Sequence, residues 1–151
     1  MVRKPISILM ADDDPDDRLM AREALQEARI SNLLYFVEDG QELLDFLRRE
    51  GPYAPPLEAP RPGLILLDLN MPRMDGREAL RQIKTTPELR SIPVVILTTS
   101  RAEEDILRSY DLGSSSFITK PVTFAGLVEV MRSLGRYWLE IVALPGPTEG
   151  G

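Results

Sequence analysis

Asp68 closes an uninterrupted apolar run, Leu64-Ile65-Leu66-Leu67, and is followed at once by the turn formers Asn70, Pro72, Asp75 and Gly76. A carboxylate delivered to the end of a buried strand can cap a turn, ligate a cation or act as a nucleophile. Other polar residues stand at matching places. Asp12, Asp13 and Asp14 follow the run over 6–11, Thr98 and Thr99 close the run over 93–99, and Lys120, with Pro121 after it, follows the run over 116–119. If these runs are parallel strands joined by right-handed crossovers, all of their carboxyl ends lie on one edge of one sheet. With Asp14 set aside as a helix cap, three acids, hydroxyls and one ammonium then face a single crevice.

Carboxylates gathered in this way repel one another, and a hard divalent cation removes the conflict. The chain contains no histidine and no cysteine. Oxygen ligands alone point to magnesium rather than zinc. The same absences exclude Ser-His and Cys-His nucleophile systems, disulfides, thiolate metal sites and a self-phosphorylated imidazole. A metal site with a carboxylate nucleophile, a lysine, a threonine and no evident general base suits phosphoryl transfer, where positioning and charge neutralisation carry most of the catalysis. Asp68 can serve as the nucleophile and become an acyl phosphate, with Lys120 and Thr98 holding the other phosphoryl oxygens.

The elements that must position these groups are legible as an alternation. Strands are expected over 6–11, 33–38, 63–68, 93–99 and 116–119. Between and after them fall helix-length amphipathic segments: from Asp14-Pro15 to about Arg29, from Asp39-Gly40 through Leu47, over 76–85, over 102–113 up to Gly113, and over 124–143. Asp14 and Asp39 read as N-caps, with Pro15 at the first helical position. Asp16 and Asp17 read as favourable first-turn acids, and Asp75-Gly76 as turn chemistry. In the first helix Leu19, Ala24, Leu25 and Ala28 are assigned to the buried face. Strand alternating with helix gives an α/β doubly wound parallel sheet covered on both faces, with ligands bound beyond the carboxyl ends of its strands. The stretch over 51–63 holds five prolines and is expected to be an extended surface connection, neither helix nor ladder. One domain is expected over 5–143, with a disordered tail over 144–151.

Bulk composition narrows the class. The 151 residues carry a net charge of −6, which gives little support to a nucleic-acid partner. No apolar run approaches the ~20 residues of a membrane span, and the amino-terminal stretch lacks the features of a secretory signal. A cytoplasmic protein is therefore expected.

The motifs resemble those of a response-regulator receiver domain of two-component signalling. Those that carry the likeness are Asp12-Asp13, Asp68 within LLDLNMPRMDG, Thr98 within VVILTTS, and Lys120-Pro121 within FITKPVT. They occur in the family's order over residues 6 to 134. The resemblance implies a flavodoxin-like (βα)5 fold with strand order 2-1-3-4-5. It implies that Asp68 accepts a phosphoryl group from a phosphohistidine on a histidine kinase. It implies Mg2+ held by Asp13 directly, by Asp12 with a water between, by Asp68, and by the backbone carbonyl of Asn70. Thr98 and Lys120 would contact the phosphoryl oxygens, while Thr98 and Phe117 would form the conformational switch. The proline-rich insert, the run DILRSYDLG and the terminal RYWLE are similar to stand-alone regulators that pair with bacterial phytochromes. Ser115 departs from an asparagine common in the family, and Phe117 lacks a tyrosine's hydroxyl.

The reading that follows is a phosphoacceptor signalling protein, not a metabolic enzyme, that catalyses only its own phosphorylation and dephosphorylation. No DNA-binding module is expected after residue 143. Two alternatives stand beside it. One is a pseudo-receiver that works without phosphorylation. The other is an aspartyl-phosphate phosphatase of the haloacid-dehalogenase type, disfavoured by Asn70 where that family has a second acid. The last helix adds an expectation of its own. Tyr137, Trp138, Ile141 and Val142 continue its apolar spacing beyond what one sheet face needs, which points to a homodimer interface at Tyr137, Trp138 and Ile141, the alternative being a helix end folded back on its own domain. Sedimentation at low micromolar concentration is expected to give a dimer, and a clean monomer contradicts it.

Overall fold

The computed structural model describes residues 7–30, 33–53, 61–68, 76–98, 116–119, 121 and 123–134. Its elements are β1 (Ile8–Ala11), α1 (Pro15–Glu27), β2 (Leu34–Val37), α2 (Gly40–Arg48), a 3-10 turn (Gly51–Tyr53), β3 (Leu64–Asp68), α3 (Gly76–Thr85), β4 (Val94–Thr98), β5 (Ser116–Thr119) and α4 (Phe124–Leu134). The helix expected over 102–113, the tail over 144–151 and the last helix beyond Leu134 lie outside the described residues.

The five strands form one parallel sheet in the order β2-β1-β3-β4-β5. Unbroken apolar sequence in β1, β3 and β4 follows from their central places, where each side chain meets a helix layer on one face or the other. Every residue of β1 and β3 is buried, whereas edge strand β2 buries only Val37 fully. Alternate residues feed two separate cores. Leu9, Ala11, Ile65, Leu67, Val94 and Ile96 pack with Leu43, Leu44 and Phe46 of α2 and Ala79, Leu80 and Ile83 of α3. Ile8, Met10, Leu64, Leu66, Val95 and Leu97 pack with Ala21, Ala24 and Leu25 of α1 and Val128, Met131 and Leu134 of α4.

The helix starts fall where the acids place them. Asp14 caps α1, its side chain accepting from the Asp16 N–H, and Asp39 caps α2 by accepting from the Glu42 N–H. The assignment of Leu19 to the buried face of α1 is corrected: Leu19 is 54% exposed. At about 100° per residue, position 19 lies about 200° around the axis from position 21. The buried stripe is instead set by Ala21, Ala24 and Leu25, with Ala28 packed beside it.

The proline-rich connection is also corrected at its start, because Gly51–Tyr53 is a short 3-10 turn. Its closing donor is the Tyr53 N–H, bonded to the Glu50 carbonyl at 3.0 Å, so the missing N–H of Pro52 costs nothing there. The described ends of this connection are pinned. Tyr53 packs on Phe46 and donates to Glu42 Oε2 at 2.6 Å. Burial, and then this bond to a carboxylate, hold its phenol above the ordinary tyrosine value. Arg61 donates to the Glu88 carbonyl at 2.6 Å and to Ser91 Oγ at 3.2 Å.

Both α1 and α2 end in the same way, with an arginine where glycine is usual. Ile30 N bonds the Leu25 carbonyl and Arg29 N the Gln26 carbonyl; Glu50 N bonds the Asp45 carbonyl and Arg49 N the Phe46 carbonyl. These bonds require a left-handed residue, and Arg29 and Arg49 have φ of 62° and 56°. Arg29→Gly is expected to raise unfolding stability by about 0.5–1 kcal/mol: about 1–2 kcal/mol of left-handed strain is relieved, less the greater unfolded-state entropy of glycine. Urea denaturation checks it, and an unchanged or lowered midpoint contradicts it.

Candidate functional site

The carboxyl edge of the sheet is where the chemistry-bearing residues gather. Ala11 of β1 pairs with Leu67 of β3, so the next residues on each strand, Asp12 and Asp68, come side by side. Asp13 joins them through the turn into α1. One carboxylate oxygen from each of Asp12, Asp13 and Asp68 lies within 4.8 Å of the others. Asp12 is 0% exposed and Asp68 6%, while Asp13 is open to solvent.

Local bonds fix this turn. The Asp12 N–H donates to the Val37 carbonyl at 3.0 Å, extending the β1–β2 ladder by one residue. The Asp14 N–H donates to Asp12 Oδ1 and the Asp16 N–H to Asp14 Oδ1, each at 2.9 Å. Asp14 is therefore spent on the helix cap, and the cluster is Asp12, Asp13 and Asp68. Two buried acids and one exposed acid, with oxygen donors only, make a donor set that fits a hard divalent cation reached from solvent.

The other expected residues are placed less fully. Thr98 is the last residue of β4, one position beyond Leu97, the partner of Asp68, and it pairs by backbone with Thr119 of β5. Its backbone thus stands on the same edge as the acids. Phe117 pairs by backbone with Ile96. The side chains of Thr98 and Phe117, and the whole of Asn70, Lys120, Tyr137, Trp138 and Ile141, lie outside the described residues. Pro121, next after Lys120, is seated against the first turn of α4. There Thr123 Oγ1 accepts the Gly126 N–H at 3.0 Å, and a Cβ on Gly126 would stand 3.0 Å from Pro121 Cβ. A bare Cα at 126 lets that close approach occur.

One residue at this edge was not read as functional in the sequence. Arg18 of α1 donates through Nη1 to the Asp12 carbonyl at 2.7 Å. A lone arginine in a helix looks like a solvated charge, and only the turn geometry brings it back onto β1.

Because three like charges share the cluster, a divalent cation is expected to stabilise the fold. Mn2+ at ten times its Kd should add about 1.4 kcal/mol to unfolding stability. Asp13→Asn should lose most of that gain. A thermal midpoint that does not respond to Mn2+ contradicts the site.

Comparison with known proteins agrees with the geometry. Residues 8–132 match the family model of the response regulator receiver domain. The chain is 40% identical over 141 residues to response regulator Rcp1 of Synechocystis sp., covering 93% of this chain and 94% of that protein. Its structure superposes on that of the phosphorylated cyanobacterial phytochrome response regulator RcpA with a TM-score of 0.83, at 40% identity over 95% of this chain and 100% of the other. It superposes on the Mn2+-bound form of Rcp1 with a TM-score of 0.81, at 40% identity over 94% of this chain and 100% of the other. With the acid cluster, the sheet order and a match over most of its length, the chain belongs to the response-regulator receiver family.

Proposed function

We propose that this protein takes a phosphoryl group onto Asp68 from a phosphohistidine on a histidine kinase, and that the kinase is a bacterial phytochrome. The observation that carries the phosphoacceptor reading is the convergence of the Asp12, Asp13 and Asp68 carboxylates within 4.8 Å. The description of RcpA as a cyanobacterial phytochrome response regulator, and the likeness to it over nearly the whole chain, support the phytochrome partner.

Mg2+ is the proposed ion, held by Asp13 and Asp68, by Asp12 with a water between, and by the Asn70 carbonyl; when bound it neutralises the negative charge of carboxylates and phosphate. Asp68 supplies the nucleophile. One of its carboxylate oxygens forms the new P–O bond as the P–N bond breaks, and the electron pair leaves on the imidazole nitrogen of the kinase. The Lys120 ammonium and the Thr98 hydroxyl are assigned to the phosphoryl oxygens. Hydrolysis later returns the Asp68 carboxylate and inorganic phosphate. The protein turns over no other substrate in this reading, so it is a signal carrier rather than a metabolic enzyme. Output would follow from Thr98 moving toward the phosphoryl group and Phe117 rotating inward, a two-state element biased by a local charge.

A homodimer through Tyr137, Trp138 and Ile141 belongs to the same proposal. It is supported by the helical spacing of those apolar residues in the sequence. Among the described residues no helix is long and apolar enough to cross a membrane.

Asp68→Asn is expected to abolish uptake of label from a phosphorylated phytochrome kinase and from acetyl phosphate. Acid-labile label retained at an unchanged rate would remove Asp68 from the role. Label taken from acetyl phosphate but not from the phytochrome kinase would remove only the proposed partner.

A further inference from the structure

We infer that Arg18 is a positioning residue for the divalent-cation site, acting through the backbone of Asp12. The inference rests on the phosphoacceptor reading only through the cation that reading requires.

Arg18 sits in the second turn of α1 and has two partners. Nη1 donates to the Asp12 carbonyl at 2.7 Å, while Nη2 stands 3.9 Å from Glu38 Oε2. The two partners differ in grip. The Glu38 side chain is 66% exposed, and a 3.9 Å pair in that setting is a weak anchor. The Arg18 side chain is only 18% exposed, and its bond to the Asp12 carbonyl is short and charge-assisted. The guanidinium is thus held chiefly on the site's own backbone.

The Asp12 carbonyl belongs to the peptide that joins Asp12 to Asp13. Whatever fixes that peptide plane fixes the angle at which two cluster residues leave the chain. On its other side, the Asp12 N–H is bonded to the Val37 carbonyl at 3.0 Å. Arg18 therefore completes the clamp: β2 holds the amide ahead of Asp12, and α1 holds the carbonyl after it. Asp13, the exposed member of the cluster, has least packing to orient it and depends most on this plane. Glu38 is the second and weaker partner of the guanidinium. It is tied in turn to α2, since the Glu38 N–H donates to Glu42 Oε1 at 2.7 Å.

Charge and geometry make opposite forecasts here, which makes the role testable. A cation beside a metal site repels the metal, so if Arg18 mattered only as a charge, removing it would tighten binding. As a positioning residue its removal weakens binding. The experiment is calorimetric titration of the full chain with Mg2+ alone, without phosphodonor, with each variant's thermal midpoint measured in EDTA. For Arg18→Met the Mg2+ Kd is expected to rise about 10-fold, the lower bound for loss of a group that orients a metal ligand. Arg18→Lys keeps the charge and one donor, and its Kd should fall between wild type and Arg18→Met. If Arg18→Met does not fold, Arg18→Lys against wild type decides: a higher Kd supports the role and an equal or lower one overturns it. Arg18→Met binding Mg2+ as tightly as wild type, or more tightly, overturns the inference, as does Arg18→Lys binding no better than Arg18→Met. Wild type that binds no Mg2+ overturns the phosphoacceptor reading as well, whereas normal wild-type binding confines any failure to Arg18.

Discussion

The register between β1 and β3 is the constraint on which the rest depends. It places Asp12 beside Asp68 at the end of two fully buried strands. A carboxylate pair about 5 Å apart repels by about 3 kcal/mol at an effective dielectric of about 20. That is a large share of the ~5–15 kcal/mol by which a domain is stable. A one-residue slip of either strand would relieve the repulsion, but it would also turn every apolar side chain of that strand to the opposite core. With Leu9, Ala11, Ile65 and Leu67 committed to one face and Ile8, Met10, Leu64 and Leu66 to the other, the slip is forbidden. The hydrophobic cores therefore hold these carboxylates together, in an arrangement that fits a divalent cation.

Helices α1 to α4 and the turns beside them serve the same end. Asp14 closes the first turn of α1 and so keeps Asp13 at the mouth of the cluster instead of continuing the strand. Thr123 and Gly126 shape the start of α4 so that Pro121 can lie against it. Tyr53 and Arg61 tie the described ends of the proline-rich connection to α2 and to the turn after α3.

Much of this was legible in the sequence because the signals were local and strong. Unbroken apolar runs announced the central strands, Asp14-Pro15 and Asp39-Gly40 announced two helix starts, and Asp12, Asp13 and Asp68 stood at strand ends. The resemblance to receiver domains supplied the strand order that the sheet then displayed. What failed to show had no local signal. Leu19 is apolar but out of phase with Ala21, Ala24 and Leu25, so counting apolar residues in a helix misassigned it. Arg29 and Arg49 take a backbone shape usually given to glycine, and nothing in their side chains announces it. The 3-10 turn at Gly51–Tyr53 hides beneath a proline-rich composition. Arg18 acquires its meaning only when α1 folds back over the end of β1, a contact set by tertiary structure.

The central claim is that Asp12, Asp13 and Asp68 converge on a single ion. Anomalous diffraction from crystals grown with Mn2+ tests it most directly. The account predicts one peak among these three carboxylates at the carboxyl edge of the sheet, with Asp13 and Asp68 as direct ligands. A peak elsewhere, or Asp13 turned away from Asp68 with no ion between them, would contradict it.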